Sequence, residues 1–177
     1  MGRWLAMMIL GVLMTTGTGC QSVEKPPLQT VSHVDIPRFM GDWYVIASIP
    51  TFLEKDIYNA IERYDRIEPE KIKTTFTYYK GDKNGKKHEM NPVGYIKDDG
   101  SNAIWGMQFI WPFKADYRVV YLDESYSVTI IGRQKRDYVW IMARQPSIDN
   151  EQYEKLINFV ESLGYDISKL NKVPQRW

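Results

Sequence analysis

The sequence predicts an all-β fold: an eight-stranded antiparallel up-and-down barrel with one C-terminal α-helix packed on its outside. Three observations predict it. Between Trp43 and Arg144, eight short runs that alternate or are rich in β-branched and aromatic residues are separated by turn clusters. After Pro146 the apolar spacing changes to that of a helix. The chain has 177 residues, 44% of them hydrophobic, enough for one good core and too few for two ordinary domains.

The runs fall at 43–48, 58–66, 71–80, 92–97, 103–111, 117–122, 127–132 and 138–144. Gly81-Asp82-Lys83-Asn84-Gly85, Asp98-Asp99-Gly100 and Asp123-Glu124-Ser125 supply turn chemistry between successive runs. In the helix, Tyr153, Leu156, Ile157, Val160 and Leu163 share one face, with Ser147 expected to cap the start and Gly164 to end it. A single amphipathic helix after a closed meander has to bury that stripe against the barrel wall.

Upstream, residues 21–34 carry Pro26, Pro27 and scattered polar side chains without periodicity, and read as an extended tether. At about 3.3–3.6 Å per residue such a segment reaches nearly 50 Å. Before it stand Arg3, an apolar stretch Trp4 to Met14, and the small residues Thr15 to Gly19. That is the layout of an export signal. As a helix the apolar stretch rises about 16 Å, well short of a hydrocarbon core of about 30 Å, so it is not a permanent span. The signal stops at Cys20, the only cysteine, which excludes an intramolecular disulfide, a multi-cysteine metal site and a thiol redox pair. The expected organisation is a signal at 1–19, an N-terminus and tether at 20–34, and a domain at 35–177.

Thr18-Gly19-Cys20 resembles a bacterial lipoprotein signal, with Gly17 where that family has Leu. The resemblance implies that Cys20 is acylated and becomes the first residue of the mature chain. Gln21, rather than Asp, implies sorting to the outer membrane; the periplasmic side is the expected one, though nothing in the residues selects it. Further on, Asp35-Ile36-Pro37-Arg38-Phe39-Met40-Gly41-Asp42-Trp43-Tyr44 carries G-x-W-Y and resembles the first signature of the lipocalins, through Gly41 and Trp43. Arg144, at the end of the eighth run, matches the family's arginine that stacks on that tryptophan, a cation–π contact worth about 0.5–2 kcal/mol. The middle signature, T-D-Y in typical members, is degenerate here as Leu122-Asp123-Glu124-Ser125-Tyr126. The resemblance covers residues 33–174 and is to bacterial outer-membrane lipocalins, relatives of apolipoprotein D.

An eight-stranded barrel is either filled by side chains or holds one small ligand. Period-two alternation nominates Val45 and Ala47 on the first run, Ile72, Thr74, Phe76 and Tyr78 on the third, Trp105, Met107 and Phe109 on the fifth, and Tyr138, Trp140 and Met142 on the eighth as inward-facing. Alternate connections share a rim. The mouth connections 49–58, 80–91, 111–117 and 133–137 carry nine cations against six carboxylates, and those of the base two cations against seven. The mouth would therefore draw in a molecule with an apolar tail and an anionic head. Phe52, Leu53, Trp111 and Phe113 share the rim and are expected to form a lid that touches lipid or a second subunit, the latter giving a homodimer.

Near-balanced charge, 23 Lys+Arg against 22 Asp+Glu, disfavours nucleic acid as a partner. The two histidines, His33 in the tether and His88 in a lysine-rich mouth loop, give neither a metal site nor a serine–histidine relay, and no phosphate or dinucleotide motif occurs. No cofactor is expected, and the sequence offers no reason to place two carboxylates inside the barrel. The leading function is binding of fatty acid or lysophospholipid at the outer membrane, for storage or transport. The alternatives are an enzyme acting on an isoprenoid or oxidised lipid, and an interaction lipoprotein with a filled barrel.

Overall fold

The computed structural model describes residues 25–176, so the expected signal at 1–19 and the expected lipidation site Cys20 lie outside the described residues. Ten strands form one antiparallel sheet: β1 (Gly41–Ile49), β2 (Ile57–Glu68), β3 (Lys71–Lys80), β4 (Lys86–Met90), β5 (Val93–Ile96), β6 (Ile104–Ile110), β7 (Phe113–Leu122), β8 (Val128–Gly132), β9 (Val139–Ala143) and β10 (Asn171–Lys172). Each barrel strand pairs with the next, and β9 returns to β1, which closes the sheet. The barrel is eight-stranded because β4 and β5 are two halves of one wall strand, both paired to β3. The break falls at Asn91-Pro92, where proline has no N–H for the ladder, although the Pro92 carbonyl still accepts from Thr74 N at 3.0 Å.

β4 corrects the expectation that 80–91 is a mouth loop. Its polar sequence, Lys-Lys-His-Glu-Met, hides it from a hydrophobic pattern; pairing with Phe76–Lys80 makes it a strand. His88 is therefore no solvated loop residue: its ring stacks on Tyr78 at 5.2 Å and 7°.

One face of the barrel packs inward around Trp43, Tyr64, Ile72, Trp105 and Met142. The opposite face of β1, β8 and β9 packs against helix α2 (Asn150–Ser162) through Tyr153, Leu156 and Val160. Asp149, rather than Ser147, caps α2, its carboxylate accepting from Gln152 N at 2.7 Å. Gly164, with φ +87°, sits just beyond the helix end, as expected.

The base is sealed by a short helix, α1 (Ile36–Phe39), lying under the barrel. Arg144 holds it there: its guanidinium lies 3.9 Å over Trp43 and donates to the carbonyls of Arg38, Phe39, Met40 and Asp42 at 2.8–3.1 Å. The first three are carbonyls at the end of α1 and the fourth lies at the start of β1, so one cationic fork joins the helix end to the strand. Gly41 makes the turn between α1 and β1 with φ +93°, a conformation that glycine reaches without strain. The degenerate middle signature also works at this end. Asp123 accepts from the backbone of Ser127 and Val128, and the Tyr126 hydroxyl accepts from Asp35 N at 2.8 Å.

Two straps run over the outside. The C-terminal strap fills the gap where β1 and β2 splay beyond Tyr44–Ile61: β10 pairs with Ala47 and Ser48, and Pro174 accepts from Asn59 N. The N-terminal strap, residues 25–34, is not a free tether. Leu28 and Val34 are buried, and Val31 and Val34 donate to Val119 and Ser101 carbonyls.

Candidate functional site

Above the sealed base the barrel is open, with a cavity of about 260 Å³. At its floor Tyr117 stacks on Trp105 beneath it at 5.1 Å, and the Tyr64 and Tyr117 hydroxyls meet at 2.5 Å. The wall is apolar, with Phe76 from β3, Met90 at the end of β4, Met107 and Phe109 from β6, Ala115 from β7 and Trp140 from β9. Two adaptable methionine thioethers among rigid rings suit a flexible chain.

Polar groups enter at two levels. At the rim, Glu54 of the β1–β2 loop accepts from both Thr51 N and Trp140 Nε1 at 3.1 Å, which ties the loop to β9. Burial raises the Glu54 carboxyl above the ordinary carboxylate range, and those hydrogen bonds offset part of the rise. Arg133 borders the cavity beside Tyr138 and pairs with Asp137 at 3.5 Å, while its buried Nε has no hydrogen-bond acceptor. Deeper, Glu62 of β2 faces the cavity. Burial pushes its carboxyl up to about 7, a hydrogen bond from Tyr64 offsets part of this, and Glu54 adds a like charge. Burial likewise pushes the Tyr64 and Tyr117 hydroxyls well up, keeping both neutral donors.

The family model for a lipocalin-like domain matches residues 34–175. The chain belongs to the lipocalin family. Temperature-induced lipocalin-1 of Arabidopsis thaliana is 33% identical over 161 residues, covering 86% of this chain and 85% of that one. Outer membrane lipoprotein Blc of Escherichia coli (strain K12) is 26% identical over 157 residues, 88% of either chain. Among solved structures, insecticyanin from the tobacco hornworm Manduca sexta superposes with a TM-score of 0.67 at 18% identity, over 85% of this chain and 86% of that one, a likeness of fold.

In this lipocalin the nominated residues divide. Phe76, Met107, Phe109, Tyr138 and Trp140 border the cavity. Val45, Tyr78 and Trp105 face inward but lie outside its wall: Val45 packs low in the core, Tyr78 packs on Phe76 and His88, and Trp105 belongs to the stack beneath the floor. Trp111 points into solvent. Ala47 is a correction. A bulge between Val45 and Ala47 shifts the pairing with β9, so that Ala47 opposes Ile141 under α2, and Ser48 takes the cavity side opposite Trp140. Two carboxylates that no sequence pattern places there, Glu54 at the rim and Glu62 deeper, also line the cavity. Among the described residues no group of three or more His, Cys, Asp or Glu is placed to hold a metal ion.

Proposed function

We propose that this lipocalin binds a single-chain lipid, a fatty acid or lysophospholipid, and stores or carries it at the outer membrane, to which acylated Cys20 anchors it. The open apolar cavity carries the reading: each CH₂ moved from water to its wall contributes about 0.8 kcal/mol before ordering costs. At about 260 Å³ it lies just under the range of about 300–1,000 Å³ usual for small-molecule sites, which favours one chain over two. The Arg133 guanidinium bordering the cavity places a positive charge for a carboxylate or phosphate at the rim, with the acyl chain directed down towards Met107. Similarity to outer membrane lipoprotein Blc supports the location, and the Thr18-Gly19-Cys20 sequence supports the anchor.

Fluorescence titration of delipidated protein lacking residues 1–20 tests the reading, because Trp140 borders the cavity. Saturable one-to-one change with a lysophospholipid, weaker with a matched alkyl glycoside, is expected; absence of binding to either, by fluorescence and calorimetry, overturns it. The enzymatic alternative would have to use Glu62 and Tyr117, the polar groups at depth, and unchanged recovery of bound isoprenoid or oxidised lipid counts against it.

A further inference from the structure

The N-terminal strap has a direction. At its start Gln134, in the β8–β9 connection of the mouth, clamps it twice: Leu28 N donates to Gln134 Oε1 at 2.8 Å, and Gln134 Nε2 donates to the Pro26 carbonyl at 3.3 Å. Leu28 is buried in a niche beside Gly132 and Val120. The strap then descends, bonding to Val119 on β7 and reaching Ser101 in a base connection. The described chain therefore joins the barrel at the open end and only later reaches the base.

Cys20 is a short stretch of chain from this clamp. Six residue steps separate Cys20 from Pro26, and at full extension they span about 20 Å. The strands that carry the clamp, β8 and β9, have five residues each and, tilted by about 40°, rise about 13 Å along the barrel axis. On this side of the barrel that rise lies within the span of the six steps, so reach alone does not select an end. With the mouth on the bilayer the clamp lies nearest to it, and the surfaces of the two ends decide the orientation.

The mouth carries the surface that such an arrangement needs. Phe52 is 76% exposed, Trp111 81% and Phe113 76%, with Phe109 and Ile110 beside them on the β6–β7 hairpin. Lys83, Lys86 and Lys87 stand at the neighbouring β3–β4 hairpin, whereas Glu68, Glu70, Asp98, Asp99 and Glu124 make the base acidic. An anionic leaflet attracts the first end and repels the second.

We propose that the open end of the barrel docks on an anionic phospholipid bilayer, with Phe52, Trp111 and Phe113 inserted among the lipids, so that a single-chain amphiphile passes between leaflet and cavity without crossing water. This rests on the proposed lipid-carrying function and not on acylation of Cys20, which sets only the tether. Its further content is the orientation and the aromatic insertion.

The test uses the full chain, processed in cells and reconstituted into vesicles of phosphatidylethanolamine and phosphatidylglycerol, with mass measurement of the N-terminal peptide to establish whether Cys20 is acylated. Brominated phospholipid should quench at least half of the fluorescence component that W111F removes, and iodide in the water should lose access to it. A spin label on K83C should report proximity to the bilayer, and one on D99C should remain aqueous. An acylated protein with unquenched Trp111, or with position 99 nearer the bilayer, overturns docking while leaving the anchor intact. If Cys20 carries no lipid, the anchor reading fails on its own; docking then stands if the protein floats with the vesicles and W111S/F113S releases it, and falls otherwise. Protection of Trp111 without vesicles, together with doubled mass in sedimentation, assigns the patch to a second copy and overturns the bilayer.

Discussion

Replacing Glu62 by Gln tests the cost of placing an acid inside this barrel. The carboxyl ionises near 4.5 in an unfolded chain and is pushed up to about 7 in the folded one, mainly because burial penalises its charge. The folded state thus holds the proton more tightly than the unfolded state. Below pH 4.5 both states are protonated and the group contributes nothing to pH dependence. Between pH 4.5 and 7 the unfolded state loses its proton first, so stability falls as pH rises, and above 7 the loss is complete. The interval corresponds to about 3 kcal/mol, a large share of a domain's net stability. Glu62→Gln keeps the size of the side chain and cannot ionise. Its unfolding free energy, measured by urea titration against wild type, should gain about 3 kcal/mol between pH 4.5 and pH 8. Parallel pH profiles for the two proteins would refute the reasoning. The same carboxyl should couple to ligand: an acyl chain laid over Glu62 favours the neutral acid, so wild-type affinity should fall above pH 7 with uptake of a proton on binding, and the Gln variant should lose that slope.

Arg144→Lys keeps the charge but loses the planar fork that serves several carbonyls of α1 and stacks on Trp43, and should cost about 2 kcal/mol in denaturant unfolding, with no change in the cavity wall. Trp140→Phe removes the donor that ties Glu54 to β9, worth about 1.5–3 kcal/mol for a charged acceptor, and amide exchange across 51–56 should accelerate about tenfold or more while the amides of α2 are unaffected. Reversing Lys83, Lys86 and Lys87 to Glu should slow association of a lysophospholipid with an anionic head several-fold at low salt and leave it unchanged at high salt, because exposed charges are screened beyond about 8 Å at physiological ionic strength. Equal rates at low salt would remove electrostatic steering from the account.

The sequence by itself determined the barrel, its order of strands, the helix on its outside and the pinned base. Alternating runs, turn clusters and the change to helical spacing after Pro146 are local signals, and Gly41, Trp43 and Arg144 are recognisable one by one. Tertiary structure decided the site. Alternation does not choose the inner face of β2, because Ala60, Glu62, Tyr64 and Arg66 on one side and Ile61, Arg63, Asp65 and Ile67 on the other are equally mixed; pairing with β1 and β3 places Glu62 in the cavity. Nor does it register the bulge that turns Ala47 outward, since one unpaired residue reverses every face beyond it and leaves no mark on hydropathy. The polar strand β4 and the two straps owe their form to backbone hydrogen bonds with partners distant in sequence, as at Leu28–Gln134 and Pro174–Asn59. A residue's neighbours in the chain set what local structure it can adopt, but whether a carboxyl meets water or an apolar cavity depends on which strands close around it.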